Sequence, residues 1–220
     1  MNAKERIARR VALELHDGDI VNLGIGLPTK VADYLSPDID VTFQSENGFL
    51  GLGPVTETIA SLVNAGGQPC GMTAGAAMFD SAFSFALIRG GHVDACVLGS
   101  LQVDEHGSLA NWVVPGKMVP GMGGAMDLVV GAKRVIIAME HCAKNGEAKL
   151  LHHCTYPLTA VGKVSKVVTE LAVFSFRDQQ MFLDEIHPEI TLEQLCAKTE
   201  ATFIVSPTLC PLRQSRLPNE

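Results

Sequence analysis

One carboxylate stands out by its setting. Glu46 lies in Gln44-Ser45-Glu46-Asn47-Gly48, directly after a run at 41–44 that reads as a short strand. Open α/β sheets take their ligands outside the carboxyl ends of their strands. Ser45, Asn47 and Gly48 are short or flexible neighbours, and the following Phe49-Leu50-Gly51-Leu52-Gly53 lets backbone approach closely. A carboxylate there can serve as acid, base or nucleophile, whereas a lone glutamate in an ordinary turn is a solvated surface charge. Two glycine clusters offer the complementary chemistry. Gly24-Ile25-Gly26 follows an apolar run at 20–23 and precedes a predicted helix at 29–35, with Pro28 suited to its first turn. That geometry offers N–H groups to an anion. Position 29 is Thr, so the third glycine of a dinucleotide fingerprint is missing. In Gly121-Met122-Gly123-Gly124-Ala125-Met126-Asp127, consecutive small residues expose N–H donors, the material of an oxyanion hole. Tight helix–strand packing would ask for the same residues, and no Gly-Lys-Ser/Thr closes the segment into a phosphate loop.

Other chemistries are excluded more easily. His152-His153-Cys154 and His141-Cys142 resemble metal ligands, but adjacent residues of a strand point to opposite faces and no carboxylate joins them at ligand spacing. No metal and no cofactor are expected. The G-x-S-x-G elbow of serine hydrolases is absent. The six cysteines, at 70, 96, 142, 154, 196 and 210, form no C-x-x-C pair and read as reduced thiols of a cytoplasmic protein.

The elements that must position these residues read as an α/β fold. Ile7, Val11 and Leu15 recur at helical spacing, and Asp17-Gly18 ends that helix. Strands are predicted at 20–23, 41–44, 95–98 and 135–139, with a helix at 81–89 closed by Gly90-Gly91. Short continuous apolar runs separated by helices are what a parallel sheet buried on both faces requires. Residues 48–53 read as a glycine-punctuated loop. After about residue 155, runs at 171–176 and 181–186 flank 177–180 as a β-hairpin. A helix at 191–198 with Thr191 as its N-cap and a strand at 201–205 follow. The three prolines of 206–220 predict an extended tail. The expected fold is an open, mostly parallel sheet flanked by helices, ending in a β-hairpin and helix, as one domain over 1–220.

Composition agrees. Of 220 residues, 47% are hydrophobic and 19% charged, within the globular range. A net charge of −7 makes nucleic acid and anionic membrane poor partners. No run approaches the ~18 apolar residues of a spanning helix, and the first 16 residues lack the apolar stretch of a secretory signal.

Taken together, Gln44-Ser45-Glu46-Asn47-Gly48-Phe49-Leu50-Gly51-Leu52-Gly53-Pro54 resembles the active-site signature of the family I coenzyme A-transferases. Asn22-Leu23-Gly24-Ile25-Gly26, Asn64-Ala65-Gly66, Ile88-Arg89-Gly90-Gly91-His92, Leu109-Ala110-Asn111-Trp112 and the segment from Gly121 to Asp127 match the family's β (B) subunit in order. Glu140-His141, residues 155–159 and Ser206-Pro207 with Leu209 extend the similarity over nearly the whole chain. The resemblance implies a ping-pong transfer of CoA from a short-chain acyl-CoA or 3-oxoacyl-CoA to a free carboxylic acid, through a glutamyl-CoA thioester on Glu46. It also implies oxyanion or CoA contacts by Gly123, Gly124, Ala125, Asn47, Asn22, Gly24 and Lys117. The alternatives are the 3-oxoadipate and succinyl-CoA:3-oxoacid activities of the same family, or acyl-CoA hydrolysis. The family's α half carries a G-G-F…G-x-P signature that is not found here, so an α-subunit partner, in an α2β2 assembly, is expected.

Overall fold

A computed structural model describes residues 1–56, 61–116 and 121–215. In chain order the elements are α1 (Ala3–Ala12), β1 (Ile20–Leu23), a 3-10 helix (Leu27–Tyr34), β2 (Thr42–Ser45), β3 (Phe49–Gly53), β4 (Gly71–Met78), α2 (Ser81–Arg89), β5 (Ala95–Leu98), β6 (Gln102–Asp104) and β7 (Leu109–Ala110). They continue with α3 (Ala125–Gly131), β8 (Arg134–Ala138), β9 (Leu150–Leu151), β10 (Lys166–Val168), β11 (Ala172–Arg177), β12 (Gln180–Ile186), α4 (Leu192–Cys196) and β13 (Ile204–Pro211). Ten strands form one sheet in the order β13-β12-β11-β10-β8-β5-β1-β2-β3-β4, and β7-β6-β9 form a second, small one.

The central strands β10, β8, β5, β1 and β2 run parallel to one another. Their apolar runs are continuous because both faces are covered. Ala95, Val97, Ile136 and Ala138 pack with Ile7, Val11 and Leu15 of the α1 side. Cys96, Leu98, Val135 and Ile137 pack with Ile88 of α2 and with Leu128 and Val129 of α3. The chain leaves β1 for β2 on one side and later returns to β5 on the other. That reversal is a topological switch point at the carboxyl ends of β1, β2 and β5, the place such sheets use for ligands.

Several expectations change. Residues 48–53 are not a loop: 49–53 form β3, antiparallel to β2 and β4. Here the glycines serve close approach, since a Cβ on Gly51 would come within 2.9 Å of Ala76 and of the Thr73 hydroxyl. The segment 29–35 is 3-10 rather than α-helical and starts at Leu27. The strand expected at 201–205 starts at Ile204 and runs into the expected tail. Residues 204–211 pair with β12 as an edge strand, where proline is tolerated. Leu212 is buried beyond it, and 216–220 lie outside the described residues. The hairpin is as expected, β11 and β12 being joined through Asp178 and Gln179, both at positive φ.

A buried ion cluster ties α1 to the C-terminal hairpin. Arg10, fully buried, donates to Glu185 through Nε at 2.7 Å and Nη2 at 2.8 Å. It also pairs with Glu14 at 2.7 Å, which in turn meets Lys166 at 2.6 Å. Arg213 closes the cluster on Glu185. Burial pushes the Glu185 carboxyl up, but the Arg10 hydrogen bond and charge with the Arg213 contacts outweigh it and hold the group below its ordinary value. Burial opposes ionisation of Glu14 as well, and the Arg10 and Lys166 charges and hydrogen bonds outweigh it. The folded state therefore holds fewer protons here than the unfolded chain around pH 4. The stabilisation is complete above the unfolded carboxylate range and is lost as pH falls through the depressed folded values. Glu185→Leu is expected to lower unfolding free energy by about 3 kcal/mol, the low end for a broken buried pair because Glu14 still faces Arg10. Urea denaturation at pH 7 measures this. The gap between variant and wild type should shrink as the same titration is repeated from about pH 5 down to about pH 3.

Candidate active site

Glu46 is the first residue beyond β2, half-buried at the switch point. Asn22 on β1 and Gln44 on β2 are register partners, and their side chains lie on the α2 face of the sheet. Asn22 Nδ2 donates to Gln44 Oε1 at 2.8 Å and to Glu46 Oε2 at 3.2 Å. The loop carrying Glu46 is fixed from two further directions. Ser45 Oγ accepts from the Ala65 N–H at 2.9 Å, and Asn47 Nδ2 donates to the Val63 carbonyl at 2.8 Å. Gly48 has φ +115°, and a Cβ there would fall 2.0 Å from the Phe79 carbonyl oxygen, so only glycine fits. A Cβ on Gly66 would meet Ile25 at 3.0 Å, which brings the 24–26 turn against the 64–66 loop. Segments far apart in sequence thus converge on one carboxylate.

Gly124 closes the site from the other side. It is the N-cap of α3, and a Cβ built on it would lie 3.2 Å from Glu46 Cγ, 3.3 Å from Oε1 and 3.3 Å from Phe85. Phe85 carries the Arg89 guanidinium over its ring at 5.5 Å, and Arg89 pairs with Asp127 of α3 at 2.7 Å, fastening α2 to α3 beside the site. The two oxygens of Glu46 therefore differ: Oε2 is held by an amide, and Oε1 faces the space left by a missing side chain.

The candidates read from sequence separate in space. Glu46, Asn22 and Gly124 come together; Gly123, exposed at φ +57°, and Ala125, the first residue of α3, adjoin them. Gly24 belongs to the sheet instead. Its N–H donates to the Val97 carbonyl at 2.8 Å, and a Cβ would be 3.1 Å from that oxygen and from Leu98. Asn47 is engaged in holding Val63. Lys117 lies outside the described residues. Sequence reasoning assigns no role to Gln44 or Ser84. Alternation along β2 puts 44 and 46 on one face, a signal that could have found Gln44; Ser84, between Phe83 and Phe85, has none. Of the histidines, His141 is buried between Thr169 and Thr199, and burial pushes it down to about 4, so it is a neutral core residue near pH 7. His152 binds Glu105 at 2.8 Å.

This chain belongs to the coenzyme A transferase family, whose model matches residues 4–198. It is 70% identical over 209 residues to the beta subunit of the acetate CoA-transferase of Escherichia coli (strain K12), covering 95% of this chain and 97% of that one. The B subunit of a probable succinyl-CoA:3-ketoacid coenzyme A transferase from Bacillus subtilis (strain 168) is 50% identical, covering 93% and 96%. Among solved structures, an acyl-CoA transferase from Escherichia coli O157:H7 superposes with a TM-score of 0.79 at 24% identity over 98% of this chain, but 44% of that one, which speaks to the fold.

Gly124→Val, whose side chain would crowd Glu46 and Phe85, is expected to cut CoA-transfer turnover by about 10²–10³ while the chain still folds, because φ at Gly124 is −80°, outside the left-handed region that favours glycine. Steady-state kinetics of the assembled enzyme, alongside thermal denaturation, separates crowding of the site from loss of fold.

Proposed function

We propose that this chain is the catalytic β half of a cytoplasmic CoA-transferase that moves CoA from a short-chain acyl-CoA or 3-oxoacyl-CoA to a free carboxylic acid. The observation that carries the reading is the asymmetry of Glu46, with Oε2 held by Asn22 and Oε1 facing the gap at Gly124. Oε1 attacks the thioester carbonyl carbon, the C–S bond breaks, and CoA departs as thiolate, leaving an acyl-glutamyl anhydride. The thiolate attacks Glu46 Cδ and breaks the Cδ–Oε1 bond. The donor acid leaves as a carboxylate, and a glutamyl-CoA thioester remains. An acceptor carboxylate then attacks Cδ and expels thiolate, which attacks the acceptor's acyl carbon to give the new acyl-CoA and restore the Glu46 carboxylate. Each step exchanges a carboxylate with a thiolate, so the chemistry asks for neither a metal nor a redox cofactor. When thiolate attacks Cδ, negative charge grows on Oε2, and Asn22 Nδ2 at 3.2 Å is the donor that meets it. Backbone N–H groups at Gly123, Gly124 and Ala125 are the candidates for the thioester oxygen. Both intermediates hydrolyse readily, so water must be kept out.

Short acyl groups are favoured by the 70% identity to the beta chain of an acetate CoA-transferase. Succinyl-CoA:3-oxoacid transfer is the second reading, supported by the 50% relative.

A companion α subunit, in an α2β2 assembly, completes the reading. The relatives above are named as beta and B subunits, and this chain matches less than half of a solved acyl-CoA transferase chain. The surface beside the site also supports a partner. On α2 it is Ser84 and Ile88 that point inward, while Phe83 is 53% exposed. The edge strand β4 has no charged residue and leaves Met72 and Met78 more than half exposed. Such an edge is a pairing hazard unless covered. Phe83→Asp is expected to weaken association with the α subunit at least tenfold, read by analytical ultracentrifugation of the mixed chains.

Glu46→Gln should retain the fold and lose transfer by at least about 10³-fold in the presence of the α subunit. Retention of more than a few per cent, with deamidation excluded by mass spectrometry, would sink the assignment. A complementary assay adds acetoacetyl-CoA without acceptor acid and then borohydride. The thioester at Glu46 should be reduced to an alcohol about 14 Da lighter than glutamate, on the peptide containing Ser45 and Gly48 and on no other of the 24 acidic residues. Steady release of free CoA without an acceptor would indicate a hydrolase instead.

A further inference from the structure

We propose that Ser84 and Gln44 are positioning residues that lock the Asn22 amide in the orientation that donates to Glu46; this rests on reading Glu46 as the nucleophile. Asn22, Gln44 and Ser84 are 1%, 2% and 0% exposed. The two ends of a side-chain amide have the same shape, and only their hydrogen-bond partners decide which end carries the nitrogen. Here the decision can be followed atom by atom from a main-chain anchor. The Ser45 carbonyl can only accept, so Ser84 Oγ, 3.4 Å away, directs its proton there. The Ser84 oxygen then has lone pairs for Gln44 Nε2 at 2.8 Å. That sets Gln44 Oε1 toward Asn22, where it accepts from Nδ2 at 2.8 Å. Asn22 Nδ2 also reaches the Gln44 main-chain carbonyl at 3.3 Å and Glu46 Oε2 at 3.2 Å.

The other end of Asn22 supplies no anchor of its own. Among the described residues its buried Oδ1 has no hydrogen-bond partner. The orientation of this amide is therefore enforced wholly from its nitrogen side, against the preference of a buried acceptor to be satisfied. Without the anchor, Gln44 can turn over and bring Nε2 to Asn22. That pulls the Asn22 oxygen toward Gln44, against the Gln44 main-chain carbonyl and the Glu46 carboxylate that ask for its nitrogen, so the donor for the charge on Oε2 is weakened. Ser84 and Gln44 touch neither Glu46 side-chain oxygen, so they act through Asn22.

The test is a double-mutant cycle on the enzyme assembled with its α subunit. Ser84→Ala is expected to lower kcat about tenfold with KM changed less than twofold, and Asn22→Ala to lower kcat by about 10²–10³. In the Asn22→Ala background, Ser84→Ala should add less than twofold, because the amide it orients is gone and only its long contact to the Ser45 carbonyl, 3.4 Å, remains. Gln44→Met, which keeps volume but removes both amide ends, should behave like Ser84→Ala and serves if Ser84→Ala does not fold. Independent multiplication of the two effects, an unchanged kcat in Ser84→Ala, or a change confined to KM would overturn the proposal. Side-chain amide hydrogen exchange by NMR reads the lock without any turnover. Asn22 NδH2 should be protected in the wild-type chain and exchange at least tenfold faster in Ser84→Ala. Equal exchange would overturn the lock, whereas a wild-type enzyme with a protected Asn22 amide and no CoA transfer would overturn the function and leave the lock standing.

Discussion

The register of β1 against β2 is the constraint on which the site depends. With Asn22 opposite Gln44, two amides lie side by side on the α2 face of the sheet, while Val21 and Phe43 face α1. A slip of β2 by one residue against β1 would turn Phe43 toward α2 and Gln44 into the α1 core, parting the two amides, since side chains alternate strictly along a strand. Burial of Val21, Val97 and Ile136 with Ile7 and Val11 on the far face holds that register. The hydrophobic core and the polar site are thus two readouts of one alignment, and neither could be altered alone.

The same alignment explains how the Glu46 carboxylate is held. A glutamate at a strand end is ordinarily a mobile, solvated group. Here one oxygen is tethered through Asn22, the loop is fixed at Ser45 and Asn47, and Gly124 keeps the remaining side free. For the nucleophile proposed here, immobilisation before substrate arrives removes orientational entropy from the barrier. An arrangement built on strands and helix ends does this more firmly than one built on long loops.

Much of this is legible in the sequence, for identifiable reasons. The strands at Ile20–Leu23 and Ala95–Leu98 and the helix Ser81–Arg89 stand where the pattern predicts, because apolar runs and Gly breaks are strong local signals. Glu46 is marked by its strand-end position and its motif. The failures have a common cause: local composition is overridden by distant partners. The residues of β3 look like loop because Gly51 and Gly53 are glycines, yet they are small so that β4 can approach. The strand β4, Gly-Met-Thr-Ala-Gly-Ala-Ala-Met, has no alternation of apolar and polar residues and gives no strand signal. The prolines of β13 suggest a loose tail, but an edge strand can accommodate them. Gly24 looks like an anion contact because its neighbours fit that motif, whereas its N–H is taken by Val97 across the sheet. Ser84 could not be found at all, since a single hydroxyl between two phenylalanines carries no sign of which way it points.

The contact between Gly48 and Phe79 has a mechanical consequence. Gly48 lies two residues after Glu46, and the carbonyl of Phe79 occupies the space where any side chain at 48 would be. The Phe79 N–H in turn donates to the Gly48 carbonyl at 2.9 Å, and Phe79 stacks edge-on against Phe83 at 5.1 Å. Backbone pressed on backbone has no rotamer through which to yield. The end of β4 and the loop that carries Glu46 are therefore joined main chain to main chain, with a spacing that no side chain can adjust.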